Sequence, residues 1–330
     1  MTELTGLLER AREASWRAKG RRITFFLPGM FVQDGVKGKY PALSLTGDGC
    51  QLMCEHCRGS LLAPMIDASD PEALVRTCQE LQHRGHPGVL ISGGCDANGA
   101  LPWEPFLPAI RRVKETTDLF VSVHAGFLGA REAERLKQAG VDQALVDLIG
   151  DDGTIDRIYH LAVGVEGITT TLEALSSAGI PIVPHVVCGL DHGRMIGEER
   201  TLDLVERFHL DQLTVLSFMG LAGTPMHDTP PPAPADVASF IARARIRMPE
   251  LLISLGCARP RGVSILEVLA IDAGVNRMAI PSDEAVERAR LYGLEITYQR
   301  SCCSIPELWA KSSWLAADEP SRSASSQGER

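Results

Sequence analysis

Residues 42–59 read ALSLTGDGCQLMCEHCRG, a short apolar run followed by a glycine-containing loop with three cysteines. The apolar run has the length and composition of a buried β-strand. Cys50, Cys54 and Cys57 then follow with the spacing Cys-x3-Cys-x2-Cys. Three thiols within eight residues of a strand-to-helix loop suit a soft metal better than ordinary core packing. The stretch therefore predicts a metal site at the end of the first strand of a sheet.

The three thiols are compatible with two kinds of metal centre. A cubane 4Fe–4S cluster would take one thiolate on each of three irons and leave the fourth iron open to a cofactor or substrate. A structural zinc ion would need a fourth protein ligand, and His56 is the nearby candidate. The residues by themselves indicate metal binding without choosing between iron and zinc.

Beyond this loop, short apolar runs alternate with amphipathic stretches. Apolar strands separated by helices are typical of a parallel sheet covered by helices. Eight such units make a (β/α)8-like barrel, full or partial, the simplest architecture. A doubly wound open sheet is the alternative, but no Gly-x-Gly-x-x-Gly turn follows the first strand. The predicted strands cover 42–47, 88–94, 119–126, 143–150, 180–190, 212–220, 251–257 and 277–280.

A barrel makes a further prediction about the unusual side chains. In such folds the functional residues lie at the carboxyl ends of the strands. Several thiol, imidazole and carboxylate groups fall at predicted strand ends, and we expect them to face one mouth of the barrel. These residues are Cys50, Cys95, His124, Asp147, Cys188 and Cys257.

The sequence divides into three segments. Residues 1–40 are predicted to form a helical and extended lead-in that starts with an amphipathic helix. Residues 41–305 are predicted to form the barrel and to end in a vicinal cysteine pair. Residues 306–330 are a tail whose last part, DEPSRSASSQGER, is polar and serine-rich and is predicted to be disordered.

Composition excludes several classes of function. The formal charge of −9 and the pI near 5.5 give no electrostatic footprint for nucleic acid or a membrane surface. No apolar stretch is long enough to span a membrane, and the N-terminus lacks the apolar core of a secretory signal. The nine cysteines, an odd number, are therefore expected to be reduced in a cytoplasmic protein.

The segment CQLMCEHC (50–57) resembles the cysteine signature of the radical S-adenosylmethionine (SAM) superfamily. The resemblance implies a 4Fe–4S cluster on Cys50, Cys54 and Cys57, with SAM bound to the open iron. It also implies an enzyme in which reductive cleavage of SAM gives a 5′-deoxyadenosyl radical. That radical takes a hydrogen atom from an unactivated C–H bond, and the protein orients and shields the chemistry.

Further segments extend the resemblance. Ser92–Gly94 resembles the glycine motif that receives the SAM amino group, although Cys95 stands where the superfamily usually has an acidic residue. The region of the fourth strand resembles biotin synthase and its relatives, which implies that Asp147 faces SAM. SFMGLAGTPM (217–226) resembles the segment that borders the adenine. The candidate cofactor-binding residues are Ser92, Gly93, Gly94, His124, Asp147 and Arg259.

Cys257, Cys302 and Cys303 form a possible second metal site. In a barrel, the seventh strand and the chain after the eighth strand are neighbours, so these thiols can converge and hold an auxiliary Fe–S cluster. The alternative is that Cys257 packs in the core and the vicinal pair lies on the surface. The resemblance to biotin synthase, where strand-borne cysteines hold a sulfur-donating cluster, makes Cys95 and Cys188 reserve ligands.

The combination of SLTGDGCQLMCEHC, CARPRG and a terminal Cys-Cys most resembles the archaeal-type, two-component lipoyl synthases, over roughly residues 20–305. This resemblance implies sulfur insertion into an octanoyl chain attached to a carrier protein. It also implies a paralogous radical SAM subunit and a reductant such as ferredoxin or flavodoxin. The sequence departs from ordinary lipoyl synthases because no Cys-x4-Cys-x5-Cys block precedes the barrel.

Two other functions remain open at the level of the sequence. One is a cofactor-maturation enzyme, related to the hydrogenase maturases, that acts on a free small molecule. The other is a non-catalytic scaffold that binds an Fe–S cluster but does not cleave SAM. An auxiliary cluster is required only for sulfur insertion, so the second group of cysteines discriminates among the three functions.

Overall fold

An N-terminal helix leads into strands that alternate with helices in the computed structural model, which describes residues 2–306. Helices are Thr2–Lys19 (α1), Pro71–His83 (α2), Trp103–Thr116 (α3), Ala130–Gln138 (α4), Asp152–Thr154 (α5), Gly164–Ser177 (α6), Glu198–Arg207 (α7), Pro234–Arg247 (α8), Ser264–Asp272 (α9) and Asp283–Leu291 (α10). Strands are Arg22–Phe26 (β1), Val32–Gln33 (β2), Val36–Lys37 (β3), Ala42–Ser44 (β4), Ile66–Asp67 (β5), Gly88–Ser92 (β6), Phe120–His124 (β7), Gln143–Asp147 (β8), Ile182–Cys188 (β9), Gln212–Ser217 (β10), Leu252–Leu255 (β11), Arg277–Ala279 (β12) and Glu295–Gln299 (β13).

Eleven strands form one curled sheet in the order β13-β1-β12-β11-β10-β9-β8-β7-β6-β4-β5. Every pair in this sheet is parallel, and β2 and β3 form a separate antiparallel hairpin. The run from β4 to β12 contains the eight predicted strands in sequence order, so the predicted (β/α) barrel is confirmed. It is a partial barrel, because β5 and β13 are the two edges of the sheet.

The predicted lead-in differs from the structure in one respect. The amphipathic helix is present as α1, but β1, within residues 1–40, hydrogen-bonds to β12 and β13. β1 and β13 therefore extend the sheet beyond the eight predicted units. Most of the predicted tail, residues 307–330, lies outside the described residues.

Local signals explain where the helices begin and end. Asp70 caps α2 by accepting a hydrogen bond from the Ala73 amide at 2.8 Å, and Pro71 occupies the first helical position. Two residues after the last residue of α2, α4 and α6 there is a glycine with positive φ, namely Gly85, Gly140 and Gly179. Glycine stops a helix there because it adopts this conformation without steric cost.

The two faces of the sheet differ in chemistry. Alternate residues of each strand, such as Val121 and Val123 of β7, face the helices and belong to the main apolar core. The opposite face lines the barrel interior and carries many polar groups. These interior residues include Thr24, Ser44, Ser92, Ser122, His124, Asp147, His185, Gln212, Thr214, Ser254 and Arg277. A polar interior is unusual for packing alone, so the inner face is the place to look for a functional site.

Within residues 2–306, no helix is both long enough and apolar enough to cross a membrane.

Candidate functional site

The three-cysteine loop follows β4 and brings two thiols together by a tight turn. The amides of Cys57 and Arg58 both donate to the Cys54 carbonyl, at 3.1 and 2.9 Å. The ligand atoms of Cys54, His56 and Cys57 all lie within 4.8 Å of one another. A hydrogen bond from the Cys54 thiol lowers the pKa of Cys57 to about 4 and raises that of Cys54. The loop therefore presents Cys57 as a thiolate that accepts a hydrogen bond from the Cys54 thiol.

The loop is anchored to the segment that follows β8. The Glu55 amide donates to the Ile158 carbonyl at 2.9 Å, and the Glu55 carboxylate lies 2.9 Å from His160 Nε2. Tyr159 places its ring 5.2 Å from the His56 ring. These contacts fix the position of the cysteines relative to β8, which carries Asp147 at its carboxyl end.

Gly94 sets the position of Cys50. Its amide donates to Thr46 Oγ1 at 2.6 Å, and a Cβ at this position would lie 2.0 Å from the Gly49 carbonyl oxygen. The same Cβ would lie 2.6 Å from the Cys50 Cα. Only glycine permits this approach, so the glycine motif after β6 supports the cysteine loop directly.

Gly94→Ala is therefore expected to displace Cys50 and to remove most of the iron bound by this loop. The added methyl group should also cost about 1–3 kcal/mol of stability through overpacking. Iron per chain and urea unfolding would measure both effects. Gly129→Ala is the matched control, because its Cβ would meet only the Glu132 carboxylate, at 3.2 Å. Full iron retention in Gly94→Ala would contradict this account of the loop.

His124, Asp147 and His185 form a polar group at the barrel mouth. Asp147 and His185 are register partners on β8 and β9, and His124 Nε2 lies 3.5 Å from Asp147 Oδ1. Burial opposes the charge on Asp147, but the interaction with His124 outweighs it, with a smaller contribution from His185, and the pKa of Asp147 falls to about 2. Burial also disfavours charge on His124, yet Asp147 raises its pKa. Asp147 is therefore a carboxylate aimed at the interior, able to accept hydrogen bonds from hydroxyl groups.

The other candidate cofactor-binding residues lie in two different places, beside the cysteine loop and between β11 and α9. Ser92 ends β6 on its inner face, and Gly93 and Gly94 follow beside the cysteine loop. Arg259 is fully buried, and its donors are engaged by Glu267 Oε1 at 2.7 Å and by the carbonyls of Gly256 and Ile280. The expectation that Arg259 binds SAM is corrected here, because this guanidinium ties the loop after β11 to α9.

The second group of cysteines also converges. Residues 300–305 turn back from β13 into the barrel, where the Cys303 carbonyl accepts from Gln212 Nε2 at 2.9 Å. Cys257 and Cys303 pack against the same small cluster with Phe26 and Ala279. A hydrogen bond from the Cys303 thiol lowers the pKa of Cys302 to about 7 despite burial. Electrostatic interactions also link Cys257 with both members of the vicinal pair.

The two reserve thiols lie in different places. Cys188 is three residues beyond His185 on β9, so it faces the opposite side of the strand. It is fully buried among residues that face the helices, and it interacts electrostatically with Glu198 and Arg243 rather than with the other thiols. Cys95 lies near Cys50, Cys57 and Asp147, and burial raises its pKa to about 12. Only Cys95 of this pair faces the mouth.

Both groups of thiols fit an Fe–S cluster by their donor chemistry, because thiolate sulfur is the ligand such clusters prefer. In the first group the ligand atoms of Cys54, His56 and Cys57 lie within 4.8 Å of one another. In the second group, electrostatic interactions link Cys257 with Cys302 and Cys303. The sequence interpretation overlooked Tyr159 and Arg277, which lie beside the first and second groups, respectively. The signal for Arg277 was present, because a charged residue began the otherwise apolar strand RMAI (277–280).

Comparison with known proteins agrees with this geometry. The family model described as the Radical SAM superfamily matches residues 44–207. Biotin synthase from Synechococcus sp. strain RCC307 is 24% identical over 243 residues, covering 71% of this chain and 74% of that protein. Biotin synthase from Nitrosococcus oceani is 28% identical over 249 residues, covering 71% of this chain and 69% of that protein.

Solved structures show the same fold at low sequence identity. Methylornithine synthase superposes with a TM-score of 0.61 at 17% identity and covers 90% of each chain. The FeFe-hydrogenase maturase HydG from Carboxydothermus hydrogenoformans has a TM-score of 0.62 at 16% identity, covering 88% of this chain and 71% of the maturase.

Proposed function

Because this chain belongs to the radical SAM superfamily, we propose that Cys50, Cys54 and Cys57 hold the 4Fe–4S cluster of a SAM-cleaving enzyme that inserts sulfur into a substrate. The proposed substrate is an octanoyl chain attached to a lipoyl-carrier protein. The proposed partners are that carrier, a paralogous radical SAM subunit and a ferredoxin or flavodoxin as reductant.

When bound, the first cluster and SAM supply a 5′-deoxyadenosyl radical, formed with one electron from the reductant and released together with methionine. That radical would take a hydrogen atom from the octanoyl chain, which would give 5′-deoxyadenosine and a carbon radical. An auxiliary cluster would supply the sulfide that forms the C–S bond, and the remaining electron would pass to its iron.

The chain's own residues bind and shield these groups. Ser92, Gly93 and Gly94 would receive the SAM amino group beside the cysteine loop. Asp147, kept ionised chiefly by His124, would accept hydrogen bonds from the ribose hydroxyls. Tyr159, packed on His56, would exclude water from the cluster side of the mouth.

Sulfur insertion is supported by one observation above all. Cys257 and the vicinal pair come from distant parts of the sequence. Cys257 packs in one cluster with the buried Cys303 and interacts electrostatically with Cys302, which packs against the neighbouring cluster of Tyr40, Phe120 and Ile305. The vicinal pair is carried into the barrel by a chain segment that folds back from β13. The backbone polar groups of such a segment need hydrogen-bond partners inside the barrel, so this arrangement costs more free energy than apolar packing would require. A sulfur-donating cluster gives this arrangement a use, whereas a maturation enzyme for a free small molecule does not require it.

Iron and acid-labile sulfide per chain, measured after anaerobic reconstitution, test the proposal. We expect about eight irons in the wild type and about four in the variant with Cys50, Cys54 and Cys57 all replaced by alanine. About four irons in the wild type, falling to none in the variant, would contradict the auxiliary cluster. That outcome would favour the maturation enzyme. Thiolation of an octanoylated carrier domain, followed by mass spectrometry, tests the substrate separately.

A further inference from the structure

Arg277 is a buried arginine on the inner face of β12, directly beneath the second group of cysteines. Only 1% of its surface is exposed. Its Nη1 donates to the carbonyl oxygens of Cys303 at 2.9 Å and Ile305 at 2.7 Å, and to Gln212 Oε1 at 3.0 Å. The guanidinium also lies 5.3 Å from the ring centroid of Phe26. Arg277 is thus fastened to the segment that carries the vicinal pair.

The contacts of Arg277 restrain the backbone of this segment. The carbonyl groups of Cys303 and Ile305 both accept hydrogen bonds from Arg277 Nη1. The Cys303 carbonyl also accepts hydrogen bonds from the side chains of Gln212 and Ser254. A carbonyl inside a barrel needs such donors, because an unsatisfied buried polar group costs the full desolvation penalty. The segment therefore stays inside the barrel partly because Arg277 satisfies its backbone.

The charge of Arg277 also acts on the thiols. Its guanidinium is hydrogen-bonded to the Cys303 carbonyl, so the charge lies close to any cluster that the vicinal pair would hold. An Fe–S cluster on thiolates is anionic, and a fixed positive charge in a region of low dielectric stabilises it more strongly than it would in water. Lysine would keep the charge, but its shorter side chain would not place a nitrogen at the position of Arg277 Nη1, which makes all three hydrogen bonds.

We propose that Arg277 is a positioning residue for an auxiliary cluster on Cys257, Cys302 and Cys303. It holds residues 303–305 inside the barrel, and its charge stabilises the more negative, reduced state of the cluster. This inference rests on the proposed auxiliary cluster and deepens it by assigning the group that orients two of its three ligands.

A buried arginine elsewhere in the chain provides the matched control. Arg245 on α8 is 0% exposed and donates to the carbonyls of Pro249 and Leu251 and to Asn276 Oδ1. None of these contacts, nor any other described for Arg245, is with a cysteine. Arg245→Gln therefore removes a buried guanidinium without touching the second group of thiols.

The experiment uses the full chain with Cys50, Cys54 and Cys57 replaced by alanine, so that iron reports only the second site. Arg277→Gln, Arg277→Lys and Arg245→Gln are added to this parent. Iron content, the midpoint potential of the cluster and the thermal unfolding temperature are measured. In the metal-free proteins, the rate at which N-ethylmaleimide alkylates Cys302 and Cys303 is followed by mass spectrometry.

Arg277→Gln is expected to lower the midpoint potential and to raise the alkylation rate of the vicinal pair by at least about 10-fold, since a charged hydrogen-bond donor is lost. Arg277→Lys should restore the potential toward that of the parent while alkylation stays fast. Arg245→Gln should lower thermal stability and leave both other readouts unchanged. If Arg277→Gln matches Arg245→Gln in potential and alkylation, the inference is overturned. A parent without iron would instead overturn the auxiliary cluster itself.

Discussion

Replacing Cys54 by alanine is expected to abolish the reductive cleavage of SAM. Cys54 is 5% exposed, and its sulfur lies within 4.8 Å of the ligand atoms of His56 and Cys57. Loss of a residue that hydrogen-bonds to a metal ligand typically lowers metal affinity or activity about 10–100-fold, and loss of a ligand itself should lower them further. We therefore expect 5′-deoxyadenosine formation with dithionite as reductant to fall by more than about 100-fold.

The matched control for this prediction is Cys78→Ala. Cys78 is a fully buried thiol on α2, and its side chain belongs to the apolar core between the helices and the sheet. Its replacement should cost roughly 1 kcal/mol of stability and leave SAM cleavage unchanged. Cleavage that survives in Cys54→Ala at the level of Cys78→Ala would show that the three-cysteine loop does not hold the catalytic cluster.

The sheet was predictable because its signal is local. Each inner strand is a short apolar run between helices, so strands such as β6 and β9 could be recognised one at a time. β1 and β13 were not counted among the predicted units. Only pairing between residues almost the whole chain apart, such as Ile23 with Ile296, adds them to the sheet beside β12. Long-range pairing of this kind leaves no periodic trace in either segment.

The site was predictable only in part. The end of a strand indicates where a side chain lies along the barrel axis, and it predicted Asp147 and His124 at the mouth. It does not indicate which face of the sheet a side chain occupies. Cys188 was therefore expected at the mouth, although it faces the helices. Arg259 was misjudged for a related reason. Its partner Glu267 lies on the following helix, and the sequence does not reveal that contact.

Replacing both Cys302 and Cys303 by alanine is expected to separate SAM cleavage from sulfur insertion. The pair lies on a segment held in the barrel by Arg277, Gln212 and Ser254, whereas the first group of thiols is held by the loop after β4. The two groups are therefore anchored independently. Iron should fall from about eight to about four per chain, and 5′-deoxyadenosine should still form, without thiolated product.

Cys188→Ala is the control for this prediction. It tests whether the effect comes from the position of the removed thiols or only from the smaller number of thiols. Cys188 is as buried as Cys303, but it faces the helix layer and interacts with Glu198 instead of another thiol. Its replacement should leave both iron content and product unchanged. Thiolated carrier formed by the Cys302→Ala, Cys303→Ala double variant would contradict a sulfur-donating cluster at this site. Because SAM cleavage is measured in the same samples, a variant that fails to fold would lose both activities and would be recognised at once.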